Sequence, residues 1–292
     1  MTATILDGSA TAKAIREELK SQVDSLRQRG ETPPGLAVVL VGDDPGSRVY
    51  VDQKQKACDK AGFYSIMSRF PAATTEAELL GQIDRLNTNA AIHGILVQVP
   101  LPKHIDESRV MHAIDPRKDV DGFHPINVGK LMLGDDTFFP CTPLGCLELL
   151  KRYRVPIQGK RALVVGRSNI VGKPVAMMLL REHATVTIAH SRTADLPGEV
   201  GRADIVVAAI GKPEFVKGAW LKEGAVVLDV GINEVPHPTT PGQRHLVGDV
   251  EFATARERAG WITPVPGGAG PMTIAMLLQN TLKARNQLVS AK

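Results

Sequence analysis

Apolar residues in this chain gather into short unbroken runs, and the stretches between them carry apolar positions at helical spacing. "GLAVVLVG" (Gly35 to Gly42) and "HGILVQVPLP" (His93 to Pro102) do not alternate, as expected of strands buried on both faces; two prolines close the second. Around them the pattern predicts a helix over about residues 7–30. A second helix is predicted over 47–61, with Ser47 as N-cap and Gly62 just past its end. A third runs to about residue 87, opened by a capping box of Thr75 and Glu78.

A loop-rich region follows, "IDPRKDVDGFHPINVGK" and "DDTFFPCTPLG", dense in Pro, Gly and Asp. It places a domain junction near Pro140, with a helix over about 143–153 beginning the crossing. A second series is cleaner. "RALVVG" reads as a strand and "VGKPVAMMLLREH" as a helix, with Pro174 tolerable only near its first turn. "ATVTIAH", "ADIVVAAIG" and "GAVVLDVG" follow at βα spacing, "WITPVPGG" makes a last strand, and residues 273–287 a last helix. The expected fold class is α/β: two α/β domains flanking a cleft, the second a Rossmann-type parallel-sheet dinucleotide-binding domain. The expected division is 1–140, with the C-terminal helix 273–292 returning to it, and 141–272.

A length of 292 residues suits two domains, and 43% apolar with 23% charged residues is ordinary for a globular protein. Aromatics at 4% leave few stacking platforms, and a net charge of +4 without a polybasic block argues against nucleic acid while suiting a small anion. Cys58, Cys141 and Cys146 cannot pair completely and have no second metal-ligand cluster nearby, so no metal is expected and the thiols read as buried or idle in a reducing compartment. The opening residues lack a basic region followed by an apolar run, and no apolar stretch approaches bilayer-spanning length. A cytoplasmic protein without a membrane partner is expected.

"VVGRSNIVGKP" lies between a strand and a helix, where backbone N–H groups and the helix N-terminus make an anion site. Gly166 permits the tight turn and Gly172 close helix-to-strand packing, with Arg167 and Ser168 between them. The spacing is not the usual G-x-G-x-x-G, so an ordinary βα turn stays open from this loop alone. The next strand ends in "AHSRT", where an NAD-selective site usually has a carboxylate for the ribose hydroxyls. Ser191 and Arg192 offer donors to a 2′-phosphate instead, and Arg167 adds a second guanidinium. NADP is therefore expected over NAD.

In the first domain, "SRVYVDQK" puts Tyr50 and Lys54 one helical turn apart, after a strand ending near Gly42. Short-chain dehydrogenases pair tyrosine and lysine at this spacing, but downstream of the glycine loop; here the pair precedes Gly166 by far, and that reading fails on chain order. Gln98 ends the second strand, and Asp121 sits in the loop after it. Ligands of open α/β sheets collect beyond the carboxyl ends of the strands, so these groups are expected to converge on one rim, facing a flat polar substrate.

The segments "SRVYVDQKQKAC", "GILVQVPLP", "KDVDGFHPINVGKL", "PCTP", "VVGRSNIVGKP", "HSRT", "GKP", "DVGIN", "GDV" and "ITPVPGGAGPMT" occur in order along nearly the whole chain. In these the sequence resembles the bifunctional methylenetetrahydrofolate dehydrogenase/methenyltetrahydrofolate cyclohydrolase family; "KDVDGFHP" and "PVPGGAGPMT" are the most specific. His93 and Ala269 are minor departures from its pattern. The resemblance implies oxidation of 5,10-methylene-tetrahydrofolate with NADP, then hydrolysis of the methenyl product to 10-formyl-tetrahydrofolate. It implies Lys54 as acid/base for hydrolysis, positioned by Gln98; Asp121 as acceptor for the pterin N–H edge; and Tyr50 as ring face and anchor. By the same resemblance Pro266, Gly267, Gly268 and Pro271 shape the substrate wall, Ile232 packs on the nicotinamide ribose, and the protein is a homodimer. Asp119 reads as the cap of the "DVDG" turn. A dehydrogenase without the hydrolytic step, or a non-catalytic NADP sensor, would be expected to have lost Lys54, Gln98 or the other polar groups of the rim, and all are present.

Overall fold

"GLAVVLV" forms a strand, Gly35–Val41, in which every residue is buried. Branched side chains on both faces of a strand need cover on both faces, and a parallel sheet between helices provides it. In the computed structural model, which describes residues 2–237, 239–240 and 242–290, this strand is the centre of a three-stranded parallel sheet. Tyr64–Phe70 pairs on one side and Gly94–Val97 on the other. The chain thus leaves the central strand to one side and returns on the other, a topological switch point at its carboxyl end. The apolar face of the Glu76–Thr88 helix, Leu79, Ile83 and Leu86, packs into a core with Ala37, Val39, Ile95 and Val97. The Thr75–Glu78 capping box is present in both directions.

The second sheet has six strands, all parallel, in the order Thr4–Ile5, Trp261–Ile262, Val226–Asp229, Ile205–Ala208, Arg161–Val165, Thr185–Ala189. Arg161–Val165 lies between Thr185–Ala189 and Ile205–Ala208, so a second switch point falls at its carboxyl end, where the glycine loop begins. Leu163, Val165, Val206, Ala208 and Val227 supply much of this core.

The chain divides into two compact units, one of residues up to Ala12 with Thr142–Thr273, the other of Lys13–Cys141 with the residues from Ile274 onward. Several expectations need correction. The opening residues do not belong with the first domain: Thr4–Ile5 pairs with Trp261–Ile262, so the chain up to Ala12 falls with Thr142–Thr273 in the second unit, the one expected to bind the dinucleotide. Ser47 is not the N-cap. The helix starts earlier, at Pro45, and the Asp44 carboxylate accepts the Ser47 N–H at 2.8 Å. "WITPVPGG" is a strand only at Trp261–Ile262, and the last helix, Ala269–Ser290, starts earlier than expected. The crossing helix is Cys141–Arg152. The Tyr64–Phe70 strand and the hairpin of Asn233–Pro236 with Arg244–Val247 were not expected. No helix of the described residues is long and apolar enough to cross a membrane.

Candidate active site

The helix Pro45–Ala61 buries Ser47, Val51, Lys54, Ala57, Cys58 and Ala61, a stripe at helical spacing with one amine in it. Lys54 is 6% exposed. Its Nζ donates to Gln98 Oε1 at 2.8 Å, and Gln98 Nε2 donates to the Val99 carbonyl at 2.9 Å, which turns the amide oxygen toward the lysine. Gln98 is set by the sheet: its own N–H donates to Val39 O, just past Gly94–Val97. Tyr50, one turn before Lys54, is half-buried, and burial raises its phenol pKa.

The third segment is the loop after the short helix Glu107–Ala113. Ile95 donates to Lys118 O, so residues 118–120 continue beside the Gly94–Val97 strand. Asp119 is 2% exposed and accepts from the N–H groups of Phe123 and His124 and from Asn127 Nδ2, while Thr137 Oγ1 donates to Asn127 Oδ1 at 2.7 Å. It is the turn's own acceptor. Asp121 takes no such part and lies beside the Cys141 thiol. Gly122 has φ +73, and a Cβ there would lie 2.7 Å from Phe138 O, so only glycine lets this loop reach the 138–140 segment.

Burial dominates the electrostatics. It lowers the Lys54 pKa, with the Asp121 carboxylate acting in the opposite sense, and it raises the Asp121 pKa, with the Lys54 charge opposing. Each group is thus moved toward its neutral form, while the opposite charge of the other resists the move. A lowered pKa makes the amine easier to deprotonate, the direction a proton acceptor needs. The thiols are buried as expected; burial pushes Cys58 and Cys146 up to about 12 and Cys141 well up. His93, the departure in sequence, is a buried acceptor for the Gly35 N–H at 2.9 Å.

The other predicted residues lie in the second unit. Gly166 has φ +128, and a Cβ would stand 2.1 Å from Ala209 O; a Cβ at Gly172 would stand 2.4 Å from Gly166 O. Ser168 Oγ accepts the N–H groups of Val171 and Gly172 at 3.2 Å each, organising the start of the Gly172–Arg181 helix. Arg167, Ser168, Ser191 and Arg192 are exposed, and a turn closed by His190 N–H to Thr193 Oγ1 at 2.9 Å presents the last two. Ile232 is 48% exposed. Pro266, Gly267 and Gly268 form the turn before Ala269–Ser290, with Pro271 in that helix's first turn. The structure brings Lys54, Gln98, Asp121 and Tyr50 together in one unit and places Pro266, Gly267, Gly268 and Pro271 in the other.

Two carboxylates of the second unit escaped the sequence reading. Asp249 is fully buried and accepts from Ile210, Gly211 and Lys212 N–H and from Asn233 Nδ2. Asp229 accepts from Gly231, Asp249 and Val250 N–H. Together they tie "GKP", "DVGIN" and "GDV" into one lattice that carries Ile232. The sequence signals for them are an acidic residue ending the apolar run "AVVLD" and their places in the segments "DVGIN" and "GDV".

A glycine cradle at a switch point, an ordered helix N-terminus and exposed guanidinium and hydroxyl groups fit a dinucleotide. A two-unit α/β enzyme with a buried lysine held on a glutamine, near an aspartate loop, in one unit and a Rossmann-type nucleotide site in the other is the class defined. Residues 6–121 match the family model "Tetrahydrofolate dehydrogenase/cyclohydrolase, catalytic domain", and residues 140–289 match its "NAD(P)-binding domain". The chain belongs to the tetrahydrofolate dehydrogenase/cyclohydrolase family. It is 60% identical over 284 residues to the bifunctional protein FolD of Moorella thermoacetica, covering 97% of this chain and 99% of that one. The crystal structure of the bifunctional FolD enzyme from Campylobacter jejuni superposes with TM-score 0.93 at 46% identity, covering 98% of this chain and 99% of that one. FolD from Trypanosoma brucei, solved with NADP cofactor and inhibitor, gives TM-score 0.95 at 44% identity, covering 99% of each chain.

Proposed function

We propose that this enzyme oxidises 5,10-methylene-tetrahydrofolate to the methenyl form with NADP and hydrolyses that product to 10-formyl-tetrahydrofolate, with Lys54 as the proton-transfer group of the second step. The observation that carries the reading is the buried Lys54 amine held on Gln98 and coupled to Asp121. Family membership and the names of the relatives support the substrate class.

When bound, NADP accepts the hydride of the first step. Gly166, Arg167, Ser168 and Gly172 would hold its pyrophosphate, Ser191 and Arg192 the 2′-phosphate, and Ile232 the nicotinamide ribose. Asp121 would accept the pterin N–H edge, and Tyr50 would stack on and anchor the flat ring. The family resemblance gives Pro266, Gly267, Gly268 and Pro271, at the turn before and the start of Ala269–Ser290, a part in substrate binding.

In the hydrolytic step a water oxygen adds to the methenyl carbon, and neutral Lys54 takes the water's proton. The bond from that carbon to N5 then breaks as the carbinol C–O–H becomes the formyl C=O and gives its remaining proton to solvent; N5 takes the proton held by the lysine, and the formyl group stays on N10. Gln98 keeps the lysine lone pair aimed by accepting one of its N–H bonds. Domain roles follow: substrate chemistry in Lys13–Cys141 with the last helix, nucleotide binding in Thr142–Thr273. A homodimer in the cytoplasm completes the proposal.

The test is one ultraviolet trace of purified protein with methylene-tetrahydrofolate and NADP, with NAD in parallel. NADPH forming without accumulation of methenyl product supports both activities. Accumulating methenyl product rejects the hydrolytic role of Lys54, and equal rates with NAD reject the 2′-phosphate assignment.

A further inference from the structure

The Asp121 loop is held from a direction that its own sequence neighbourhood does not reveal. Asn280 lies on Ala269–Ser290 and is 3% exposed, in a stretch whose neighbours Leu277, Leu278, Leu282 and Ala284 are buried and apolar. Its Nδ2 donates to Val120 O at 2.8 Å and to Phe139 O at 3.0 Å, and stands 3.8 Å from Cys141 Sγ. Val120 O also accepts from Cys141 Sγ at 3.4 Å. One carboxamide therefore joins the peptide that leads directly into Asp121 to the segment that ends at Cys141, the thiol facing the Asp121 carboxylate.

We propose that Asn280 is a positioning residue for folate recognition: by holding the Val120 carbonyl against the Phe139 segment, its side chain sets the direction in which Asp121 presents its carboxylate. The proposal rests on the assignment of Asp121 to the pterin edge.

Three features support positioning over general packing. A buried amide costs desolvation unless both its protons are used, and here they go to two backbone carbonyls of different loops. The same two loops meet where Gly122 has no side chain, so the Asn280 bonds and the Gly122 approach define one spacing between them. Asp119, already committed to three donors, anchors the other side of the turn. Asp121 is thus suspended between two anchored neighbours. Rotating the Val120–Asp121 peptide, once its carbonyl is released, swings the carboxylate and leaves the sheet intact. Lys283, one turn along the helix, donates to Thr137 O at 2.8 Å, so it ties the same segment without touching the peptide before Asp121.

The experiment is calorimetric titration of tetrahydrofolate, and separately of NADP, into wild type, Asn280→Ala, Asp121→Ala, the double variant and Lys283→Ala. Asn280→Ala is expected to weaken tetrahydrofolate by about tenfold, the scale of one lost net hydrogen bond, with NADP affinity unchanged. In the Asp121→Ala background the same change is expected to add nothing, because its effect passes through the missing carboxylate. Lys283→Ala is expected to bind both ligands as wild type does. Unchanged folate affinity in Asn280→Ala, equal weakening of both ligands, or losses that multiply in the double variant each overturn the proposal. Should Asn280→Ala not fold, Asn280→Ser is too short to reach both carbonyls and gives the same folate-specific loss; wild-type affinity there overturns it. If Asp121→Ala binds tetrahydrofolate normally, the Asp121 assignment itself fails, and the proposal falls with it for that separate, identifiable reason.

Discussion

Both units place a switch point at the carboxyl end of an inner strand, Gly35–Val41 in one and Arg161–Val165 in the other, yet they furnish it in opposite ways. At the first, the decisive groups are ionisable and withdrawn from water: Lys54 is 6% exposed, and burial moves both it and Asp121 toward neutrality. At the second, the charged groups Arg167 and Arg192 stand in solvent, and close approach comes from glycines and backbone N–H groups. On the proposed assignments, the same topology would serve reactivity where it buries charge and affinity where it exposes charge. Proton transfer needs a pKa moved toward the working pH, whereas holding a phosphate needs a permanent cation and preformed donors.

The comparison breaks most visibly at Lys54. Lys54→Met is expected to lower hydrolysis of methenyl-tetrahydrofolate by at least about a hundredfold, the lower range for loss of a general base. Hydride transfer, which moves no proton at Lys54, is expected to fall much less. Separate assays of methenyl loss and NADPH formation decide it, and equal retention of both activities removes Lys54 from the mechanism. Arg192→Ala probes the opposite unit with a smaller effect. Loss of one charge-assisted contact is expected to raise the KM for NADP on the order of tenfold to a hundredfold, with the KM for NAD nearly unchanged. A matched rise for both cofactors assigns Arg192 to the fold instead of the 2′-phosphate.

Legibility follows the same division. The stripe that buries Lys54 can be read from residues 47, 51, 54, 58 and 61, and the glycine loop from its place between "RALVV" and the Gly172–Arg181 helix. The strand Tyr64–Phe70 could not be read, because "YSIMSRF" mixes polar and apolar residues and only partly buries them at a sheet edge. Ser47 resembles a cap because hydroxyls commonly cap helices; Asp44, before Pro45 at the first helical position, is the stronger signal. Thr4–Ile5 is too short to announce a strand, and its partner Trp261–Ile262 lies at the other end of the chain. Asn280 and Asp249 are polar residues whose partners are mostly backbone atoms, which no side-chain pattern encodes.

Asp229 gives the smallest of these effects and the sharpest test of whether buried charge in the second unit serves the fold instead of the reaction. Burial raises its pKa from the ordinary 3.8 to about 7, against the pull of the three N–H groups of Asp249, Val250 and Gly231 that it accepts. Between about pH 4 and pH 7 the native state therefore holds a proton that the unfolded chain has released. Stability from this group is full below the unfolded value and is lost as pH rises through the folded one. Asp229→Asn cannot titrate, so its melting temperature is expected to vary less with pH across that window. It is also expected to keep the Lys54-dependent hydrolysis profile, since Asp229 and Lys54 lie in different units. Thermal unfolding at intervals from pH 4 to 8 reads the first effect, and a hydrolysis pH profile the second. An unchanged slope would mean that the N–H donors keep Asp229 ionised throughout. A shifted hydrolysis profile would mean that the division between buried charge for chemistry and exposed charge for binding is not as clean as the two switch points make it.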